Sequence, residues 1–114
     1  MTPQEYQEQA LQVKLYHEAI ISPLFSKVSY LMMGLTGETG ELAEKVKKII
    51  RDKDCQLSEV DRKLLQKELG DILWYLTAII SELGFSLEDT MKMNLIKIQD
   101  RINRGQLQGS GDER

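Results

Sequence analysis

The 114-residue chain has one cysteine, Cys55, one histidine, His17, and two prolines, Pro3 and Pro23. A single cysteine excludes an internal disulfide and a cysteine zinc cluster. It lies in a polar stretch with no histidine beside it, which argues against a thiol nucleophile. Aromatic residues make up only 6% of the chain, and strand-like alternation is missing. No apolar run approaches the roughly 20 residues that a membrane span needs. No basic segment leading into an apolar stretch opens the chain, so no secretory leader is expected and the cytoplasm is the expected compartment. The net charge of −3 argues against a general binder of nucleic-acid polymers, but it leaves room for a phosphorylated ligand. A Gly-x-Ser-x-Gly elbow, a P-loop and a dinucleotide fingerprint are all missing.

What is there is ordinary for a globular domain: 41% apolar and 29% charged residues. The length predicts one domain. Apolar residues recur at steps of three and four, which predicts an all-α protein. Capping signals bound four helices. Thr2-Pro3-Gln4-Glu5 reads as a capping box with proline at the first helical position, opening a helix to about Ala19. A second helix spans roughly Ser26 to Arg51, and Asp52 to Leu57 form a polar connection. A third opens on Ser58, with Asp61 three residues on, and stops at Gly84. A fourth opens on Ser86, carries Glu88 and Asp89 in its first turn, and runs to about Arg104. Residues 1–104 are therefore expected to form the helical domain and 105–114 a glycine-rich tail, either a plain loop or a cover for a ligand. The two central helices are long for so short a chain, and their apolar stripes are expected to continue into a subunit interface.

Two matching acidic pairs carry the chemistry. The second helix holds Glu38 and Glu41, and the third holds Glu68 and Asp71. Each pair is spaced i, i+3 and projects from one helical face. Glu68 falls inside the apolar arc of Leu65, Ile72, Leu76, Ile79 and Leu83, with Asp71 at its edge. Glu38 falls inside the arc of Leu31, Leu35, Leu42, Val46 and Ile49, with Glu41 at its edge. Carboxylates turned toward a core are costly unless paired or bound to metal. If the helices form an antiparallel hairpin, all four converge. Their oxygen ligands suit Mg2+ or Mn2+. The Glu-x-x-His motif of di-iron bundles is missing, which argues against that chemistry. The competing reading is a solvated acidic face paired with Lys45, Lys48 or Lys67; the core-ward placement favours metal.

Cations and aromatics accompany the acids. Lys45 and Lys48 follow on the side of Glu41, as Tyr75 follows Asp71. They read as phosphate and nucleoside contacts, or as a surface ion pair and a core aromatic. Trp74 points farther round and reads first as a core residue, with a nucleoside contact as the alternative. On the fourth helix Asn94, Lys97, Arg101 and Arg104 form a polar stripe beside Met91, Leu95, Ile98 and Ile102. That stripe could hold phosphates, or it reflects the preference of helix C-termini for cations. Gly34, Gly37 and Gly40 inside the second helix each cost roughly 1 kcal/mol relative to alanine. Close helix approach or room for a ligand would account for them.

The stretch from Gly34 to Lys48, with Glu38 and Glu41, resembles the first metal motif of the MazG-like nucleotide pyrophosphohydrolases. The stretch Glu68-Leu69-Gly70-Asp71-Ile72-Leu73-Trp74-Tyr75-Leu76 resembles the second. The family pattern is Glu-Glu-x-x-Glu, a spacer, then Glu-x-x-Asp. Here Gly37 stands at the first acidic position, a departure shared by short stand-alone members. The run from Asn94 to Arg104 and the Gly-Ser-Gly-Asp tail are similar to those members too, so the resemblance covers about Tyr6 to Arg114.

The resemblance implies a four-helix bundle completed by assembly as a homodimer or homotetramer, in a bacterial or phage-infected cytoplasm. It implies Mg2+-dependent cleavage of a nucleoside triphosphate between the α and β phosphates, with two or more ions and Mn2+ as a substitute. Carried over, Glu38, Glu41, Glu68 and Asp71 become metal ligands, with Glu38 or Glu41 as catalytic base. Lys45, Lys48, Lys97, Arg101 and Arg104 become phosphate contacts, and Tyr75, Asn94 and Trp74 nucleoside contacts. Short members point to deoxynucleotides, dGTP or dCTP first. The rivals are a base-restricted relative (a dCTPase, a dUTPase or a phosphoribosyl-ATP pyrophosphohydrolase) and a non-catalytic nucleotide-binding oligomer.

Overall fold

The structure, a computed structural model, describes residues 1–13 and 26–113. Its elements are α1 (Pro3–Ala10), α2 (Lys27–Asp52), α3 (Glu59–Glu82) and α4 (Leu87–Asn103), with no strand among the described residues. The expected all-α class is borne out. So are the caps. The Thr2 hydroxyl accepts from Glu5 N–H at 3.1 Å, and the Glu5 carboxylate returns the bond to Thr2 N–H. Ser26, Ser58 and Ser86 cap the other three helices. At Gly84, φ is +80°; its N–H donates to Ser81 O and that of Phe85 to Ile80 O. This Schellman motif ends α3 where the glycine predicts it, and Gly105 repeats it for α4 with bonds to Ile102 O and Arg101 O.

The first helix is shorter than its pattern predicts. Instead of running to about Ala19, α1 ends at Ala10 and Leu11 caps it. Past it the bonds tighten to i→i+3, from Gln12 N–H to Gln9 O and from Val13 N–H to Ala10 O, and the Trp74 indole N–H of α3 also donates to Ala10 O at 2.9 Å. Residues 14–19 of the expected helix, with His17, lie outside the described residues.

Helices α2 and α3 form the antiparallel hairpin that the acidic pairs require. Lys53 faces Asp61, Lys45 faces Glu68, and Gly34 faces Tyr75, so the pairs step away from the loop along both helices. Leu31, Ala78 and Ile79 form the buried centre, with Leu35, Trp74, Tyr75 and Leu11 packed on it. Short α1 lies on α3 and α4. Its Gln7 side chain bonds Ser81 Oγ, Phe85 O and Leu87 N–H, fastening α1 to the α3–α4 turn. Helix α4 packs on α1 and α3, with no α2–α4 contact among the described residues.

The apolar arcs are only partly covered. Val46, Leu76 and Leu83, expected in the core, are exposed, because periodicity marks an apolar face without supplying a neighbour for it.

The α2–α3 turn is held electrostatically. Asp54 and Cys55 adopt left-handed φ values of 50° and 61°. Across this turn Lys53 Nζ meets the buried Asp61 at 2.6 Å, and Asp61 also accepts from the Ser58 hydroxyl and N–H. The Lys53 ammonium, then the Ser58 hydroxyl and amide, pull the Asp61 carboxyl down from 3.8 to about 2. A folded-state pKa below the unfolded one stabilises the fold above the unfolded value. That stability is lost as pH falls from about 4 to about 2. Asp61→Asn should therefore melt earlier than the wild type at neutral pH, with the gap closing toward pH 2. Thermal melts across pH 2–7 check this.

Candidate metal and nucleotide site

The antiparallel register inverts one acidic pair against the other. Glu41 then meets Glu68, and Glu38 feels the charges of both Asp71 and Glu68. Carboxylate oxygens of Glu38, Glu41 and Glu68 all come within 4.8 Å of one another. Glu38 and Glu68 are half-buried and Glu41 is exposed, matching their places inside and at the edge of the arcs. Asp71 stands just outside this triad. With Glu38, Val13, Trp74 and Tyr75 it lines a cavity of about 310 Å3.

The electrostatics are those of a site short of positive charge. Partial burial, then the charges of Glu41, Asp71 and Glu68, raise the Glu38 carboxyl above its ordinary value; Lys45 opposes them. Lys45 Nζ lies 3.1 Å from Glu68 Oε1, so Lys45 does form an ion pair with the acidic cluster. The other oxygen, Glu68 Oε2, is buried without a hydrogen-bond partner among the described residues. A buried carboxylate oxygen is ordinarily satisfied by a donor, a water or an ion, and an ion would also offset the neighbouring acids. Three oxygen donors, one of them orphaned, fit a hard divalent ion better than a solvated acidic face.

Aromatic residues wall the cavity. The Tyr75 ring packs edge-on against Trp74, centroids 5.0 Å apart at 90°. Burial, then Tyr30, Glu38 and Asp71, raise the Tyr75 hydroxyl. Tyr6 of α1 is raised likewise by burial and by Asp71. Trp74 combines a scaffold contact with a place at the site: its N–H anchors α1 while its ring faces the acidic cavity. Of the three helix-two glycines, Gly34 marks close approach, since a Cβ there would overlap the Tyr75 ring. Gly37 and Gly40 face open space.

The remaining cations are placed elsewhere. Lys48 is exposed, 4.0 Å from Glu44. On α4, Asn94 and Lys97 line a cavity of about 670 Å3 beside the α3–α4 turn. Lys97 and Arg101 both meet Asp112 of the tail, and Arg104 pairs with Asp100. Because α4 makes no contact with α2, one chain does not bring these cations onto the acidic triad. Sequence reasoning missed Val13, Tyr6 and Asp112. Nothing periodic marks them, since the end of α1 and the tail reach their places through tertiary contacts.

Residues 26–105 match the family model described as the MazG nucleotide pyrophosphohydrolase domain. The chain belongs to this MazG family. The match spans α2, α3 and α4, hence every acidic residue of the site. It supports nucleotide pyrophosphohydrolase activity in general. MazG domains are typically metal-dependent, in keeping with the acidic cluster. Gene 37 protein of Mycobacterium phage L5 is 44% identical over 109 residues, covering 96% of each chain. This likeness agrees with the short stand-alone type of MazG protein. Uncharacterized protein YpjD of Bacillus subtilis (strain 168) is 33% identical over 86 residues, 75% of this chain and 72% of its own. No solved structure matches the chain. No helix among the described residues is long and apolar enough to cross a membrane.

Proposed function

We propose that this MazG protein is a Mg2+-dependent hydrolase that cleaves a nucleoside triphosphate between the α and β phosphates, releasing the monophosphate and pyrophosphate. The observation that carries the reading is the triad of Glu38, Glu41 and Glu68 with the orphaned, buried Glu68 Oε2. These three residues, with Asp71 beside them, would hold the ions; Mn2+ would substitute. Bound there, the ions would neutralise the phosphate oxygens, activate a water and stabilise the leaving pyrophosphate. A carboxylate oxygen of Glu38 or Glu41 that holds no ion would serve as the base for a water proton. Lys45, paired with Glu68 at 3.1 Å, would be free to offer its ammonium to a phosphate oxygen if Glu68 held an ion instead. Tyr75, with Trp74 behind it, offers a ring at the mouth of the acidic cavity for the nucleoside. Lys48 and, on α4, Asn94, Lys97, Arg101 and Arg104 would add ligand contacts. Since α4 does not touch α2 among the described residues of one chain, assembly with a second copy would have to bring the α4 residues to the triad. The resemblance to short members favours deoxynucleoside triphosphates, dGTP or dCTP first, in the cytoplasm.

The test is product analysis with each common NTP and dNTP in Mg2+. Monophosphate with an equal amount of pyrophosphate is the expected result, and the rate ranking names the base. Mg2+-dependent binding without pyrophosphate release would instead establish a nucleotide-binding protein.

The protein is further read as a homodimer or homotetramer. Its surface is 8618 Å2, whereas a compact monomer of 13.1 kDa exposes about 6,400 Å2. Its radius of gyration is 17.4 Å against about 13 Å for a compact chain of this length. Leu69, Leu73, Leu95 and Ile96 are among the large apolar side chains left in solvent. Light scattering should give a mass two or four times 13.1 kDa; a monomer would overturn this reading.

A further inference from the structure

The acidic triad is not the only charged cluster with an orphaned atom. Arg101 is 7% exposed, a degree of burial that arginine rarely reaches unless paired. Its Nη2 donates to Asp112 Oδ1 at 3.1 Å and to Asp112 O at 2.9 Å. Its Nε is buried without a partner among the described residues. A guanidinium has five donors in a fork suited to a multi-oxygen anion, and the tail satisfies only part of it. Lys97, one turn earlier on the same face, reaches the same Asp112 Oδ1 at 3.3 Å. Two cations therefore converge on one carboxylate oxygen.

That carboxylate comes from the far end of the tail. Gly105, Gly109 and Gly111 have positive φ values, which let the chain leave α4 and fold back on it. The Asp112 side chain is 79% exposed, so it occupies the site from the solvent side. An ion pair with so exposed a partner is weak. Arg101, then Lys97, hold the Asp112 carboxyl below its ordinary value, so it is charged at neutral pH. Beside the cluster, the cavity of about 670 Å3 runs from Phe85 past Thr90, Met93 and Asn94 to Lys97, with room for the body of a nucleotide.

We propose that Lys97 and Arg101 form an anion site whose resident occupant is the chain's own Asp112, and that a phosphate group binds there by displacing it. This rests on reading Lys97 and Arg101 as phosphate contacts. It adds that the tail competes with the ligand. A phosphate brings more oxygens and more charge than a carboxylate, so it can engage both cations more fully as Asp112 swings into solvent.

The probe is inorganic pyrophosphate in EDTA, followed by calorimetry on the full chain. Without a divalent ion the acidic triad repels the probe, so binding reports the α4 site and needs no turnover. Asp112→Asn, and independently Asp112→Ala, should bind pyrophosphate roughly three- to tenfold more tightly than the wild type, the range expected for removing a weak ion-pair competitor. Adding Lys97→Met to Asp112→Asn should abolish the gain. Unchanged or weaker binding in both Asp112 variants overturns the proposal, as does a gain that survives the loss of Lys97. Should every triphosphate resist hydrolysis while the gain appears, the anion site stands and the hydrolase reading falls. Turnover without the gain would leave the hydrolase standing and overturn the anion site.

Discussion

Replacing Glu38 by glutamine, or Asp71 by asparagine, should lower triphosphate hydrolysis by roughly 100- to 1,000-fold, the range for removing one preorganised charged group from a reaction centre. Both changes preserve shape and remove one negative charge from a crowded place. Glu38 feels Glu41, Asp71 and Glu68 at once, with Lys45 opposing them. The variants should therefore fold. Glu38→Gln should be at least as stable as the wild type in EDTA, because burial first, and then repulsion from Glu41, Asp71 and Glu68, raise the Glu38 carboxyl and disfavour its charge in the ion-free protein. A folded pKa above the unfolded one destabilises the ionised state, so this repulsion is felt at neutral pH and fades as the group takes up a proton at lower pH. Mg2+ should raise the wild-type melting temperature by relieving the same repulsion, and should raise that of Glu38→Gln less. Far-UV dichroism, melting with and without Mg2+, and pyrophosphate release measure the three effects separately. Near-wild-type turnover in both variants would sink the metal-site reading. A general loss of helicity would instead make these residues structural.

The split between site and scaffold explains which features are legible in the sequence. The caps at Thr2, Ser58, Ser86 and Gly84 are local: donor and acceptor lie within five residues, so the pattern alone identifies them. The acidic pairs are legible because helical period and apolar arcs together place a side chain on a face. That Glu38, Glu41 and Glu68 meet requires only one further fact, the antiparallel hairpin. The end of α1 is not legible: no breaker residue marks Ala10, and the Trp74 indole that bonds its carbonyl comes from 64 residues away. Nor is the exposure of Leu76 and Leu83, since a stripe says nothing of what covers it. Asp112 is hidden for a third reason. A glycine-rich tail has no period, and its pairing with Lys97 and Arg101 depends on a chain reversal that no local pattern encodes.

Gly34 offers the sharpest test of the hairpin itself. In an open helix interior, glycine to alanine gains about 1 kcal/mol of helix propensity. At Gly34 the added methyl would overlap the Tyr75 ring, which α3 presses across the hairpin. That ring cannot retreat freely, because Trp74 packs edge-on against it and the buried Leu31, Ala78 and Ile79 lie beneath the pair. Overpacking of this kind costs about 1–3 kcal/mol, so Gly34→Ala should be destabilising despite the propensity gain. With Tyr75→Ala as the background the space opens, and the same change should become stabilising by up to about 1 kcal/mol. Urea unfolding of the wild type, the two single variants and the double variant closes the cycle, and the sign reversal is the result to look for. Gly37→Ala, which meets open space, should be stabilising in both backgrounds. If Gly34→Ala stabilised the wild type as well, α2 and α3 would not approach as closely as the site requires. The register that brings Glu38, Glu41 and Glu68 together would fail with it.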